Sequence, residues 1–345
     1  MSDSRSAGDR PVVLLRPAPQ LIERIFSTDA LDRLQRAYTV IDLEADPSED
    51  AMDAALPEAF AIIGQPDLPA SRLERASKLR AVLNVEGNFF QNVDYEAAFS
   101  RGVHVVACTP VYAQPVAEYS LGLALDLARG ISREDRAFRE GRERYVSAGN
   151  QDAILLQGAD VGFLGYGNIG RALRPLLEPF RTTIRAYDPW LPEATLRAAG
   201  LQPASLEEVL ERSAFLFIMA TVTDASMHLL NASNLGLVPR GARVVLVSRA
   251  VVVDFDALIR HVAEGRFLCA IDVWPEEPVA PDHPARSLEG LVLSAHRAGG
   301  IPQAFHEIGE MVLDDLALLA QGLPPVRMQA AARELVGRYR SRPVT

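Results

Sequence analysis

The sequence predicts an α/β protein made of two doubly wound parallel-sheet domains. Short apolar runs alternate with helix-patterned segments along most of the chain, which is how parallel strands covered on both faces read. The alternation comes in two series, one ending near residue 110 and one opening near residue 155, with a long helical stretch between them. A length of 345 residues suits two domains better than one. An apolar fraction of 48% is enough to fill two cores, and 23% charged residues is too few for wholesale disorder.

In the first series the strand candidates are VVLLR (12–16), YTVIDL (38–43), AFAIIG (59–64), LRAVLNV (79–85) and VHVVAC (103–108). Between the first two, TDALDRLQRA has helical spacing with Thr28 as its N-cap. Residues 113–142 carry a long helical pattern that breaks at Gly130 and turns polar in REDRAFREGRER. The second series runs ADVGFLG (159–165), TTIRAYD (182–188), AFLFIMA (214–220), ARVVLVS (242–248), CAIDVW (269–274) and LVLSAH (291–296). A last helix over roughly 302–321 leads into a Pro324-Pro325 turn and a basic tail. No self-similarity of solenoid period is present.

Composition narrows the function. The net charge of −10, from 35 basic and 45 acidic side chains, argues against a nucleic-acid surface, which needs a basic footprint. It leaves room for a small anionic substrate held by one or two local arginines. Cys108 and Cys269 sit in apolar strand-like runs, so buried reduced thiols are expected. The opening MSDSRSAGDR is polar and shows no signal-length apolar segment, and no run approaches the roughly 18 apolar residues of a membrane span. A cytoplasmic protein without membrane contact is expected. The histidines are scattered, and His306-Glu307 lacks the second ligand of a helical zinc motif, so no metal site is expected.

The strongest motif is Gly165-Tyr166-Gly167-Asn168-Ile169-Gly170, between a strand and a helix. The first glycine permits the tight turn, the second lets backbone approach a pyrophosphate, and the third lets helix and strand pack closely. The helix N-terminus that follows presents N–H groups to phosphate. The next strand ends in Asp188, 18 residues beyond Gly170, where a carboxylate can accept from adenosine ribose hydroxyls and repel a 2′-phosphate. Pro189 and Trp190 offer no cation in its place, so NAD is favoured over NADP. Alone the glycine pattern is weak; its context makes it a Rossmann-type dinucleotide turn.

Three ionisable groups follow at strand ends: Arg249 after ARVVLVS, Glu277 in DVWPEEP, and His296 closing LVLSAH. In a doubly wound sheet all three lie at the carboxyl edge, where a dinucleotide binds. An Arg guanidinium can fork onto a carboxylate and polarise a keto oxygen. A His can give that oxygen a proton as hydride arrives, and a neighbouring carboxylate favours the protonated imidazole. Each has a plainer reading: Arg249 as a surface residue, Glu277 as one solvated carboxylate beside its competitor Glu276, His296 as one structural His among six. Their order after a dinucleotide loop favours catalysis.

With these residues in place, the sequence resembles the D-isomer-specific 2-hydroxyacid dehydrogenases, which include phosphoglycerate, D-lactate and hydroxypyruvate or glyoxylate enzymes. The matching stretches are GFLGYGNIG, YDP at 187–189, SRAVVVDFDAL at 248–258, DVWPEEP at 272–278 and SAHRAGG at 294–300, with EGNFFQNVDYEAA and PVAEYSLGLALDLAR upstream. The resemblance implies Arg249, Glu277 and His296 as the catalytic set. It adds Ala220, Thr221, Ser248 and Asp272 to the cofactor-binding residues Gly165, Gly167, Asn168, Ile169, Gly170 and Asp188, with Asp272 on the nicotinamide carboxamide. It implies that backbone N–H groups at Asn88 and Phe89 hold the substrate carboxylate. It further implies an NAD-binding Rossmann domain, residues 113–298, inserted into a substrate domain formed by 1–112 and 299–345. Substrate would bind in the cleft between them, hinge closure would exclude water, and a homodimer would form through the 113–142 helices.

The chain departs from the family pattern at several places. Phe89 stands where glycine is usual, so a bulky side chain is expected to line or cap the substrate pocket. Leu246 and Ala250 replace a polar residue and a glycine near Arg249, Met219 replaces a histidine on the nicotinamide side, and Ala295 replaces the proline before His296. Formate-type enzymes carry Gln at the position of Glu277 and phosphite-type enzymes Lys at that of Asn88, so both are set aside. Arg297 is read as a surface residue more readily than as a substrate contact. The leading function is an NAD-dependent 2-keto acid reductase. The competing one is an NAD(H)-sensing, corepressor-like binding protein of the same fold, which would bind NADH tightly and turn over slowly.

Overall fold

The computed structural model of the chain describes residues 10–44 and 48–340. The polar residues 1–9 and the end of the basic tail, 341–345, lie outside the described residues. The chain divides into two compact units, residues 1–112 with 301–345, and residues 113–300.

The first unit has a six-stranded sheet. Its strands are β1 (Val12–Arg16), β2 (Thr39–Asp42), β3 (Ala59–Gly64), β4 (Ala81–Asn84), β5 (His104–Ala107) and β13 (Gln329–Ala330), in the order β13-β5-β4-β3-β1-β2. All pairs are parallel except β13 with β5. The order 2-1-3-4-5 of the parallel strands is a doubly wound arrangement. Alternate residues of β1 enter opposite cores: Val13 and Leu15 pack with the helix Pro302–Leu319, and Leu14 packs with Met52, Leu56 and Leu79. That two-faced burial is why these strands read as continuous apolar runs.

The helix Thr28–Ala37 is capped one residue earlier than its sequence suggested. Ser27, not Thr28, is the N-cap, its Oγ accepting from the Ala30 N–H at 3.2 Å. Beyond the last helix the chain returns to the first sheet. Asp315, fully buried on the last helix, accepts from the N–H groups of Val326, Arg327 and Met328, and so folds the chain back to form β13.

The second unit has a seven-stranded parallel sheet. Its strands are β6 (Asp160–Leu164), β7 (Thr183–Tyr187), β8 (Gln202–Pro203), β9 (Phe215–Ile218), β10 (Arg243–Leu246), β11 (Leu268–Ile271) and β12 (Leu291–Leu293), in the order β12-β11-β10-β9-β6-β7-β8. Reading outward from β6, this is the dinucleotide order 3-2-1-4-5-6 with one added strand, and it reverses between β6 and β9. The pattern over 113–142 is two helices, Ala113–Arg129 and Ile131–Arg139, parted at Gly130, whose φ of +65° suits glycine. Leu246, the last residue of β10, is fully buried in this core, so its apolar character serves packing.

Cys108 and Cys269 are both free and buried. Burial, aided by the Glu86 carboxylate, pushes the Cys108 thiol up to about 12, and burial raises that of Cys269 as well. Among the described residues no helix is long and apolar enough to cross a membrane, and no group of His, Cys, Asp and Glu side chains is placed to hold a metal ion.

Candidate active site

Because every strand of the second unit is parallel, every carboxyl end lies along one edge of its sheet. Along that edge come, in spatial order, the segments holding His296 after β12, Asp272 and Glu277 after β11, Ser248 and Arg249 after β10, Ala220 and Thr221 after β9, the glycine loop after β6, and Asp188 after β7.

Gly165 follows β6 with φ +89°, and a Cβ there would lie 2.9 Å from the Ala220 Cα and 3.0 Å from its N. Both conformation and space therefore demand glycine. A Cβ on Gly170 would stand 3.0 Å from the Tyr166 ring and 3.6 Å from the Met219 Cε, so the third glycine is a packing glycine and Met219 closes against it. A Cβ on Gly167 would meet nothing within 4 Å. That open space lies before the helix Asn168–Leu177, which has no side-chain cap at its start. Its first-turn N–H groups have no acceptor within the helix. Open space and a positive helix end fit a pyrophosphate.

Asp188 sits at the end of β7. Its two carboxylate oxygens accept from the Tyr166 N–H at 2.8 Å and the Trp190 N–H at 2.9 Å. It holds the glycine loop in shape, and its oxygens keep lone pairs that could accept further hydrogen bonds. Ser248 is buried, and among the described residues its Oγ has no hydrogen-bond partner, an orphan that a ligand hydroxyl or amide would satisfy. Asp188→Ala is expected to raise the NADH KM roughly 10- to 100-fold, the loss of one or two charge-assisted hydrogen bonds. It should also narrow the preference over NADPH; parallel initial-rate titrations with both coenzymes check this.

His296 and Glu277 come together: His296 Nδ1 lies 2.8 Å from Glu277 Oε2, with both side chains partly exposed. Among the described residues it is Glu277, and not its neighbour Glu276, that makes this contact. Glu277 is itself anchored, its Oε1 accepting from the Trp274 N–H at 3.0 Å. His296 has φ +49°, a left-handed backbone that a non-glycine residue adopts only when its surroundings impose it. The strand read over 291–296 ends at Leu293, short of His296.

Asp272 supplies the constraint. It is 1% exposed, and its carboxylate accepts from the Ser294 hydroxyl at 2.5 Å, the Arg297 N–H at 3.0 Å and the Ala298 N–H at 3.2 Å. Its carbonyl accepts from the His296 N–H at 2.7 Å. Ser294 Oγ in turn accepts from the Tyr119 hydroxyl at 2.8 Å, and the Ser294 carbonyl accepts from the Trp274 indole at 2.8 Å. The carboxylate's chief partners thus belong to the turn that presents His296, which leaves about one lone-pair direction for a ligand. Tyr119 and Ser294 escaped the sequence reading, since their bond joins residues 175 apart. Arg297 gives its backbone to Asp272 and exposes its side chain. Arg249 extends from the end of β10 and donates to the Ser248 carbonyl at 2.7 Å.

In the first unit, Asn88 and Phe89 lie in the loop after β4. Asn84 braces it, its Nδ2 donating to the Asn88 carbonyl at 2.7 Å and its Oδ1 accepting from the Glu86 N–H at 2.7 Å. Among the described residues the N–H groups of Gly87, Asn88 and Phe89 have no partner. The Phe89 side chain, expected to line or cap the substrate pocket, turns into its own unit. It is 4% exposed and packs in the core of its own unit, because Tyr95 and Tyr339 supply an aromatic site for it.

Residues 121–298 match the family model described as D-isomer specific 2-hydroxyacid dehydrogenase, NAD binding domain. A glyoxylate reductase of Korarchaeum cryptofilum is 29% identical over 291 residues, 82% of this chain and 86% of that protein. A D-3-phosphoglycerate dehydrogenase of Archaeoglobus fulgidus is 26% identical over 308 residues, 88% of this chain and 58% of that protein. Among solved structures, a phosphoglycerate oxidoreductase from Rhizobium etli superposes with a TM-score of 0.86 at 47% identity, covering 94% of this chain and 99% of that one.

Proposed function

Since this chain belongs to the D-isomer specific 2-hydroxyacid dehydrogenase family and is an NAD-dependent oxidoreductase, we propose that it reduces a small 2-keto acid to the D-2-hydroxy acid with His296 as proton donor. The observation that carries the reading is the 2.8 Å pairing of His296 with Glu277 on the strand-end edge that also holds the glycine loop.

NADH, when bound, supplies the hydride. Glu277 accepts from Nδ1–H, which assigns that hydrogen to Nδ1 and leaves Nε2 to exchange a proton with substrate. As C2 of the keto acid is reduced, Nε2–H passes its proton to the keto oxygen, and the neutral imidazole takes another from solvent. Arg249 forks onto the substrate and polarises the keto oxygen. The unpartnered N–H groups at Asn88 and Phe89 take its carboxylate, a task that needs no basic side chain in a loop that has none. Gly165, Gly167, Asn168, Ile169 and Gly170 hold the pyrophosphate, Asp188 the ribose, and Ala220, Thr221, Ser248 and Asp272 the nicotinamide half. In oxidation the proton returns to Nε2.

Assembly is proposed as a homodimer through the helical segment after residue 113. Ile131, Phe138, Tyr145, Val146 and Leu155, all large and apolar, are more than half exposed there, as such surfaces are when another subunit covers them. Phe138→Glu is expected to shift the protein from dimer to monomer in sedimentation at micromolar concentration. The buried free thiols suit a reducing, cytoplasmic setting.

The test of function is NADH oxidation at 340 nm against glyoxylate, hydroxypyruvate, pyruvate, phenylpyruvate, 2-ketoisocaproate and phosphohydroxypyruvate, with NADPH in parallel. Turnover of at least one acid with NADH supports the reading. Tight NADH binding with no turnover would overturn it in favour of a dinucleotide sensor.

A further inference from the structure

Phe89 has an unusual set of neighbours. Its ring stacks on Tyr339 with centroids 5.8 Å apart and planes 22° apart, and meets Tyr95 edge-on at 6.5 Å. The Tyr95 hydroxyl donates to the Phe90 carbonyl at 2.6 Å. Gln91 Nε2 donates to the Val336 carbonyl at 3.2 Å and the Tyr339 carbonyl at 3.4 Å. Three successive loop residues, 89 to 91, are therefore each tied down, and two of them are tied to the C-terminal segment.

That segment is itself placed by the first unit. The three N–H bonds to Asp315 turn the chain, β13 pairs with β5, and the Ala331 N–H donates to the Val105 carbonyl at 2.8 Å. Arg333 then pairs with Glu96 at 3.5 Å and lies 5.4 Å from the Phe99 ring centre. Burial raises the Tyr339 phenol, as it does the Tyr95 phenol, so both rings are desolvated packing partners. The loop they hold is the one whose Gly87, Asn88 and Phe89 N–H groups have no partner among the described residues.

We infer that residues 331–340 act as a positioning latch for substrate binding: Tyr339, stacked on Phe89, and the Val336 and Tyr339 carbonyls, bonded to Gln91, fix the loop whose N–H groups take the substrate carboxylate. The inference rests on the substrate contact proposed above for Asn88 and Phe89. Donors that are fixed before binding need no ordering when the carboxylate arrives, so loss of the latch weakens substrate binding more than chemistry. Tyr339 acts through Phe89 and is a positioning residue. A phenyl ring at 339 keeps the stack and should suffice.

The test compares the wild-type protein with Tyr339→Ala, Tyr339→Phe and Gln91→Leu. Two readouts are taken: amide hydrogen exchange of residues 86–92, and KM and kcat with glyoxylate and with phenylpyruvate. The NADH KM serves as control. For Tyr339→Ala the expected result is loop exchange faster by about tenfold, a keto-acid KM raised by about tenfold, and kcat and the NADH KM within about threefold of wild type. Tyr339→Phe should match wild type in both readouts, and Gln91→Leu should move both less, in the same direction. Unchanged loop exchange in Tyr339→Ala would overturn the latch. Faster exchange with unchanged KM would instead overturn the assignment of the substrate carboxylate to this loop, and with it the latch's part in binding. If Tyr339→Ala does not fold, Gln91→Leu, which removes only the hydrogen bonds, decides by the same criteria.

Discussion

Replacing His296 with alanine is expected to lower kcat for keto-acid reduction by about 10²–10⁴-fold while leaving NADH affinity unchanged, the range for loss of a positioned general acid. His296 is the group held in a left-handed conformation and braced by a carboxylate at 2.8 Å. Its removal leaves the glycine loop and Asp188 untouched, since these make their contacts with the ends of β6, β7 and β9. Glu277→Gln should fall between the variant and wild type, because the amide keeps a hydrogen-bonding group beside Nδ1 but not the charge. Initial rates at 340 nm and NADH fluorescence titration separate the two effects. Wild-type turnover in His296→Ala would remove His296 from the mechanism.

Asp272→Ala is expected to reduce both stability and activity. The carboxylate is 1% exposed and accepts from Ser294, Arg297 and Ala298, so its loss strands three donors at about 1–3 kcal/mol for each that stays buried. It also frees the turn that imposes the backbone of His296. A catalytic group displaced by about 1 Å can lose about 100-fold in rate, and kcat should fall by at least that factor. Ser294→Ala removes one bond and should cost about 1 kcal/mol. Denaturant midpoints and keto-acid rates measured on both variants test this ordering. An Asp272→Ala protein that matched wild type in both would show that the turn holds itself.

Much of this was legible in the sequence where the signal is local. The glycine loop and Asp188 stand within a strand–turn–helix–strand whose spacing is fixed by geometry, and the parallel strands, buried on both faces, announce themselves as apolar runs. Glu277 and His296 were legible as an ordered set after that loop, but their contact joins residues 19 apart in sequence and appears only once β11 and β12 pair. What was not legible depends on distant partners. The ring of Phe89 goes into the core because Tyr339, 250 positions on, is there to stack against it. The basic tail becomes a sheet edge because a buried Asp315 turns it. The two-residue strands β8 and β13 carry too few side chains for any periodicity.

The most direct test of the account is the stereochemistry of the reverse reaction. NAD reduction at 340 nm would be followed with each enantiomer of the 2-hydroxy acid that corresponds to the best keto acid, on wild-type protein. The account requires the D enantiomer to be oxidised and the L enantiomer to be inert. Equal oxidation of both, or of L alone, would contradict it.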